Sequence, residues 1–135
     1  MKLFLLLTGQ SQRIFDSNGF NSDEFEVIKL DEKLLSEPGK IFDIIRKSNF
    51  EEIYFGCKEL IFQRFHTFMK YYIARSPAKK GGIIDEFGNK NLYSPWKFLF
   101  CEIPNLLFEA IASTIIIIYY HIKLPLIRWT LYKKR

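Results

Sequence analysis

Between Ile103 and Ile122 a single formal charge, Glu109, interrupts an apolar run that includes Ile115-Ile116-Ile117-Ile118-Tyr119-Tyr120. As a helix, residues 105–122 would measure roughly 27 Å, close to the ~30 Å hydrocarbon thickness of a bilayer. A helix that is apolar all round needs cover on every side, and a chain of 135 residues has too small a body to supply it. The sequence therefore predicts a domain over residues 1–93 followed by a membrane-associated helical segment with a basic tail over residues 94–135. Lys123, Arg128, Lys133, Lys134 and Arg135, with Trp129 and Tyr132 among them, are expected to rest on anionic head groups.

Sidedness follows from the same residues. The positive-inside tendency wants the basic tail in the cytoplasm. The first half shows no export signal, because Leu3–Leu7 is too short an apolar stretch and no small-residue cleavage site follows it. Two ends on one side require two spans or none, and Phe98 to Leu131, broken by Pro104 and Pro125, is too short for two. A re-entrant or interface-lying segment, monotopic on the cytoplasmic face of the cell membrane, satisfies both conditions.

Charge is also divided along the chain. Residues 1–60 carry 8 Lys/Arg against 11 Asp/Glu, and residues 61–135 carry 12 against 4, so a net +5 molecule is acidic first and basic second. Such polarity points the second half toward phosphates of lipid or of a polyanion. With 48% hydrophobic and 17% aromatic residues, global disorder is excluded.

The first 93 residues read as a small α/β domain. Leu3-Phe4-Leu5-Leu6-Leu7 is the continuous apolar run of a strand buried on both faces, as in a parallel sheet. Phe25–Leu30 and Glu52–Phe55 read as further strands, with a short helix somewhere in residues 10–22 and another opening at Ser36-Glu37-Pro38. Glu59 to Ser76 predicts a long amphipathic helix. At 100° per residue Ile61, Phe62, Phe65, Phe68, Met69, Tyr72 and Ile73 fall within about 140° and form its expected core face. Gly82–Glu86 and Lys90–Tyr93 then make two short strands around Phe87-Gly88-Asn89, and Ser94-Pro95 opens the last helix. Strand, helix, strand in this order gives a Rossmann-like, mostly parallel sheet with flanking helices.

In such sheets ligands bind beyond the carboxyl ends of the strands. Those ends present Thr8-Gly9-Gln10-Ser11, Asp31, and Gly56-Cys57-Lys58, so Thr8, Gly9, Gln10, Ser11, Gly56 and Lys58 are the expected pocket residues, either as a phosphate-holding turn or as ordinary connections. Neither GxGxxG nor GxxxxGK[ST] occurs, and no cofactor is expected. His66 and His121 have no partner at metal-ligand spacing, so no metal is expected either. Cys57 beside Lys58 reads as an activated thiol or as an inert strand-end residue. Asp85 and Glu86 are adjacent on a strand and point to opposite faces, which disfavours a joint acid–base role. The basic run Arg64, Lys70, Arg75, Lys79 and Lys80 is interleaved with Phe65, Phe68, Tyr71 and Tyr72. With most of those rings on the core face there is no stacking platform, and no nucleic-acid partner is expected.

Glu51 to Trp96, with Tyr54-Phe55-Gly56, Arg64-Phe65, Lys70, Ala74 to Lys80 and Ile84-Asp85-Glu86-Phe87-Gly88-Asn89, resembles the N-terminal Rossmann-like lobe of certain bacterial membrane-associated glycosyltransferases, similar to the two-lobed heptosyltransferase-like (GT-B) proteins of cell-surface polysaccharide synthesis. The second lobe, which in that family binds the nucleotide-sugar donor, is absent, and no catalytic motif of the family matches a position here. The resemblance implies an accessory or acceptor-side component of cell-envelope glycan synthesis, inactive alone, that meets a membrane lipid, a lipid-linked sugar phosphate and a glycosyltransferase partner subunit. The other reading is a non-enzymatic membrane-anchored interaction protein that uses the same fold as scaffold.

Overall fold

A computed structural model describes residues 1–63, 65–78 and 80–132 of the chain, with side chains as far as Leu124. The chain divides into two compact units, Met1–Pro95 and Trp96–Arg135.

The first unit is built on a five-stranded sheet. Its strands are β1 (Lys2–Leu6), β2 (Phe25–Lys29), β3 (Glu52–Cys57), β4 (Lys80–Asp85) and β5 (Lys90–Leu92), in the spatial order β2-β1-β3-β4-β5. The first four are parallel and β5 returns antiparallel to β4. Three helices connect them: α1 (Ser11–Asn18), α2 (Pro38–Arg46) and α3 (His66–Arg75). Because side chains alternate along a strand, β1 feeds two cores at once. Leu3 and Leu5 join Ile41, Ile45, Met69, Tyr72 and Ile73 of α2 and α3 on one face. Phe4 and Leu6 join Ile14 and Phe15 of α1 on the other, within a cluster of rings that includes Phe20, Phe25 and Tyr54. This is an α/β doubly wound sheet of Rossmann-like type.

Local chemistry sets most boundaries. Pro38 occupies the first turn of α2, where its missing N–H is no loss. Ser36 does not cap that helix: its Oγ donates to the Lys33 carbonyl at 2.7 Å, closing the preceding turn. Gly19, at φ 69°, ends α1 in the left-handed conformation that suits glycine.

The long helix expected over Glu59–Ser76 forms only in its second part. Leu60–Phe62 is a single tight turn, Gln63 is extended, and α3 begins at His66. The Leu60 N–H donates to Asp85 Oδ2 at 3.1 Å, which fixes the turn to the end of β4 and puts it out of phase with α3. The expected core face is corrected accordingly. Met69, Tyr72 and Ile73 are buried, whereas Ile61, Phe62, Phe65 and Phe68 are 86%, 75%, 41% and 52% exposed, and Lys70 is buried in their place.

The second unit is helical. α4 (Pro95–Lys97) passes through a widened turn, Phe98–Glu102, into α5 (Ile103–Tyr132). In the widened turn the Ile103 N–H bonds back to the Phe98 carbonyl, an i to i+5 spacing. Such a turn relaxes the ladder just where Pro104 lacks a donor and its ring would crowd the preceding turn. The breaks expected at Pro104 and Pro125 are thus absent, and the backbone remains helical through both. Pro95–Leu124 is long and apolar enough to cross a membrane, with mean hydropathy 1.7 and none of the apolar window buried. With none of that window buried, it is no core helix. Thr114 Oγ1 returns its proton to the Ala110 carbonyl at 2.8 Å, which satisfies the hydroxyl within the helix.

Candidate functional site

The parallel strands reverse direction of winding between β1 and β3, so the crevice beyond those two carboxyl ends is the expected ligand site of the sheet. A hollow of about 270 Å³ opens there, and a second, of about 540 Å³, opens beyond the ends of β1 and β2; they share Thr8 and Glu32. The smaller is lined by Cys57, Lys58, Glu59, Phe62 and Gln63 besides, and the larger by Lys29 and Asp31 among others. A third hollow, of about 500 Å³ between Asn49, Glu52, Pro77 and Lys80, lies at the amino ends of β3 and β4, the wrong end of the sheet for a doubly wound fold.

The six expected pocket residues separate into three groups. Thr8 and Lys58 line the crevice and are joined to each other, the Lys58 N–H donating to Thr8 Oγ1 at 3.0 Å. Gly9, Gln10 and Ser11 form the turn into α1 but line neither hollow. There the Gln10 N–H donates to Glu86 Oε1 at 2.6 Å, so an internal carboxylate already occupies this backbone donor. Gly9 has φ 92°, and a Cβ on it would run into the same Glu86 oxygen, so glycine is needed there for conformation and for the carboxylate's approach. Gly56 lies within β3 with the Phe4 ring packed against it, which gives it a structural role.

Beside Glu86, Asp85 turns inward and is 1% exposed. Its carboxylate accepts from the N–H groups of Phe87 (2.9 Å), Asn89 (2.8 Å) and Leu60 (3.1 Å) and from the Asn89 amide at 2.8 Å. Its own carbonyl accepts from Asn18 Nδ2 at 2.8 Å and Ser17 Oγ at 3.3 Å. Burial alone would raise the Asp85 pKa, but the Asn89 side chain and the three backbone donors outweigh it and hold the carboxyl below its ordinary range. The two neighbouring carboxylates are both structural clamps, one on the β4–β5 turn and one on the turn after β1.

Cys57 proves to be the inert alternative. Burial, followed by the nearby Asp85 charge, pushes its thiol up to about 12, and Sγ is directed at the Ile84 carbonyl at 3.7 Å. Among the described residues no three His, Cys, Asp or Glu side chains are grouped as a metal would require. What remains in the crevice is a set of hydrogen-bonding groups, Glu32, Glu59, Gln63, Thr8 and Lys58, with Phe62 at one wall. In the smaller hollow Glu32 and Glu59 stand against Lys58 alone, so its lining suits hydroxyl donors better than a phosphate. Sequence reasoning found Thr8 and Lys58 through the strand-end rule but missed Glu32, Glu59 and Gln63. Of these, only the placement of Asp31-Glu32 directly after an apolar strand carried a signal.

On the apolar helix, Lys123 Nζ folds back onto Tyr119, bonding its hydroxyl at 2.6 Å and lying 4.9 Å from its ring centroid. Trp96 and Phe100 stack near the other end, 5.6 Å apart and 7° from parallel. Arg128 falls on the helical backbone with its side chain outside the described residues, as are Lys133, Lys134 and Arg135 altogether. Arg64 and Lys79 of the basic run are likewise outside them. Phe65, Phe68 and Tyr71 are exposed, so the argument against a stacking platform from buried rings fails on the geometry.

No family model, curated protein or solved structure matches this chain.

Proposed function

We propose that the chain is a membrane-anchored, acceptor-side component of cell-envelope glycan synthesis, in which the α/β unit holds the sugar of a lipid-linked acceptor and a separate glycosyltransferase subunit supplies the donor. One observation carries the reading: a polar, carboxylate-rich crevice at the switch point of a doubly wound sheet belongs to the same chain as an unburied apolar helix of membrane-crossing length. Glu32, Glu59 and Gln63 accept from sugar hydroxyls, and Lys58 meets the adjoining phosphate. The uninterrupted helix favours a single span over a re-entrant segment. Its aromatic groups at Trp96 and Tyr119–Tyr120 stand roughly 35 Å apart along the axis, the spacing of two membrane interfaces. In this reading the α/β unit faces the cytoplasm, where a free thiol such as Cys57 persists, and a single span then sets the basic tail on the other side, against the positive-inside tendency.

The test is binding of full-length protein in nanodiscs to a polyprenyl-phosphate sugar, against the same lipid without sugar. Saturable preference for the glycosylated lipid, reduced roughly tenfold by Glu59→Gln, is the expected result. Equal binding of both lipids overturns it.

A second reading, the non-enzymatic anchored interaction protein, draws on the Glu86–Gln10 and Lys58–Thr8 bonds, which tie together the turns that a nucleotide-binding sheet leaves open. It predicts no preference between the lipids and co-purification with an integral membrane partner.

A further inference from the structure

The stretch between β3 and β4 leaves four large apolar side chains in solvent although the sheet has core positions to fill. Ile61 and Phe62 project from the tight turn, Phe65 and Phe68 from the start of α3, with the last two rings 6.5 Å apart. Phe68, Tyr71 and Arg75 fall within about 60° of one another around α3, so the apolar strip continues along the helix and ends at a cation. In sequence, residues 58–80 carry Lys58, Arg64, Lys70, Arg75, Lys79 and Lys80 against Glu59 alone. This strongly cationic segment lies in a unit whose first 57 residues are net acidic. Lys58, just before the tight turn, and Arg75, at the end of α3, are exposed, Glu32 and Glu59 stand beside Phe62, and Lys70 is buried.

We propose that this face of the α/β unit, Ile61, Phe62, Phe65 and Phe68 with Lys58 and Arg75, docks onto an anionic bilayer surface, the rings entering the acyl boundary and the cations meeting head groups. The charge of the segment selects the partner: residues 58–80 carry six cations against one carboxylate, and exposed apolar side chains on a cationic segment match an anionic interface. Single-stranded nucleic acid would use the same charges, but the two helix rings are tilted by 57° and Ile61, the most exposed of the four, cannot stack on a base. The inference rests on the helix bringing the chain to a membrane; the face shares Lys58 and Phe62 with the crevice, and a label at position 65 reads docking without reference to what the crevice binds.

The experiment uses full-length Cys101→Ser protein in nanodiscs, labelled with bimane at Phe65→Cys, or at Phe87→Cys on the exposed β4–β5 turn as control. Flotation first reports whether the helix anchors the chain, so failure of anchoring is read separately from failure of docking. In anchored protein, brominated lipids are expected to quench the label at position 65 several-fold more than at position 87, and more in phosphatidylglycerol than in phosphatidylcholine. Phe62→Ser with Phe68→Ser lowers the docked fraction by roughly tenfold per ring removed. Equal quenching at the two positions overturns the proposal. So does shielding at position 65 that appears in detergent only as protein concentration rises, which assigns the face to a second copy. Shielding by oligouridylate without lipid quenching overturns it in favour of nucleic acid.

Discussion

Asp85 holds three pieces of chain: its own following turn and the Leu60–Phe62 turn through its carboxylate, and the end of α1 through its backbone carbonyl. Hydrogen bonds to a buried charge are the stronger kind, and removing their acceptor leaves several donors stranded. Asp85→Ala is therefore expected to lower stability by about 3 kcal/mol, read from thermal unfolding in mild detergent. The carboxyl's folded pKa lies below its unfolded value, so its contribution is present at neutral pH and is lost as pH falls through the folded value. Asp85→Asn should flatten the acid limb of the stability curve below about pH 4, and an unchanged limb would remove Asp85 from that role. At the same scale, alkylation near pH 8 is expected to spare Cys57 in the native protein, where its thiol is buried and pushed up to about 12, and to mark it after unfolding. Peptide mass spectrometry decides it.

Among the elements, the parallel strands were legible because each is an unbroken apolar run or an alternating one bounded by turn residues, and their burial requires only that helices cover both faces. The helix after β3 was not. Its apparent period from Ile61 to Ile73 is broken by a bond from Leu60 to a residue 25 positions away, and no local pattern reports such a contact. The same holds for the switch-point turn: Glu86 reaches Gln10 across 76 residues, so the sequence showed a free glycine turn where the fold has an occupied one. β4 offers a direct check on the packing of the sheet. A Cβ on Gly81 would run into the Ile53 carbonyl, a backbone atom that cannot turn aside. Gly81→Ala is expected to cost about 2 kcal/mol or more, visible as a lowered unfolding midpoint, whereas Gly39→Ala, which meets nothing and lies in α2, is expected to leave the midpoint unchanged or raise it.

Over the whole molecule, the apolar helix decides where the protein resides. Lysine at the centre of such a helix costs about 2.5–3.5 kcal/mol on insertion scales. Phe108→Lys with Ile111→Lys, midway between Trp96 and Tyr120, is therefore expected to move the full chain from the carbonate-resistant to the extractable membrane fraction, and retention of the double variant in the pellet would show that this helix is not the anchor. The last connection made in the α/β unit also bears on how the chain is produced. The turn after β1 cannot be completed until Glu86 arrives, and β5 ends at Leu92, three residues before Pro95 opens the apolar helix. During synthesis, which releases the chain from its first residue onward, the sheet can close only when that helix is next in line to leave the ribosome. Folding of the first unit and capture of the helix by the insertion machinery are thereby placed in the same short interval, and slow closure of the sheet would deliver an unfinished domain to the membrane.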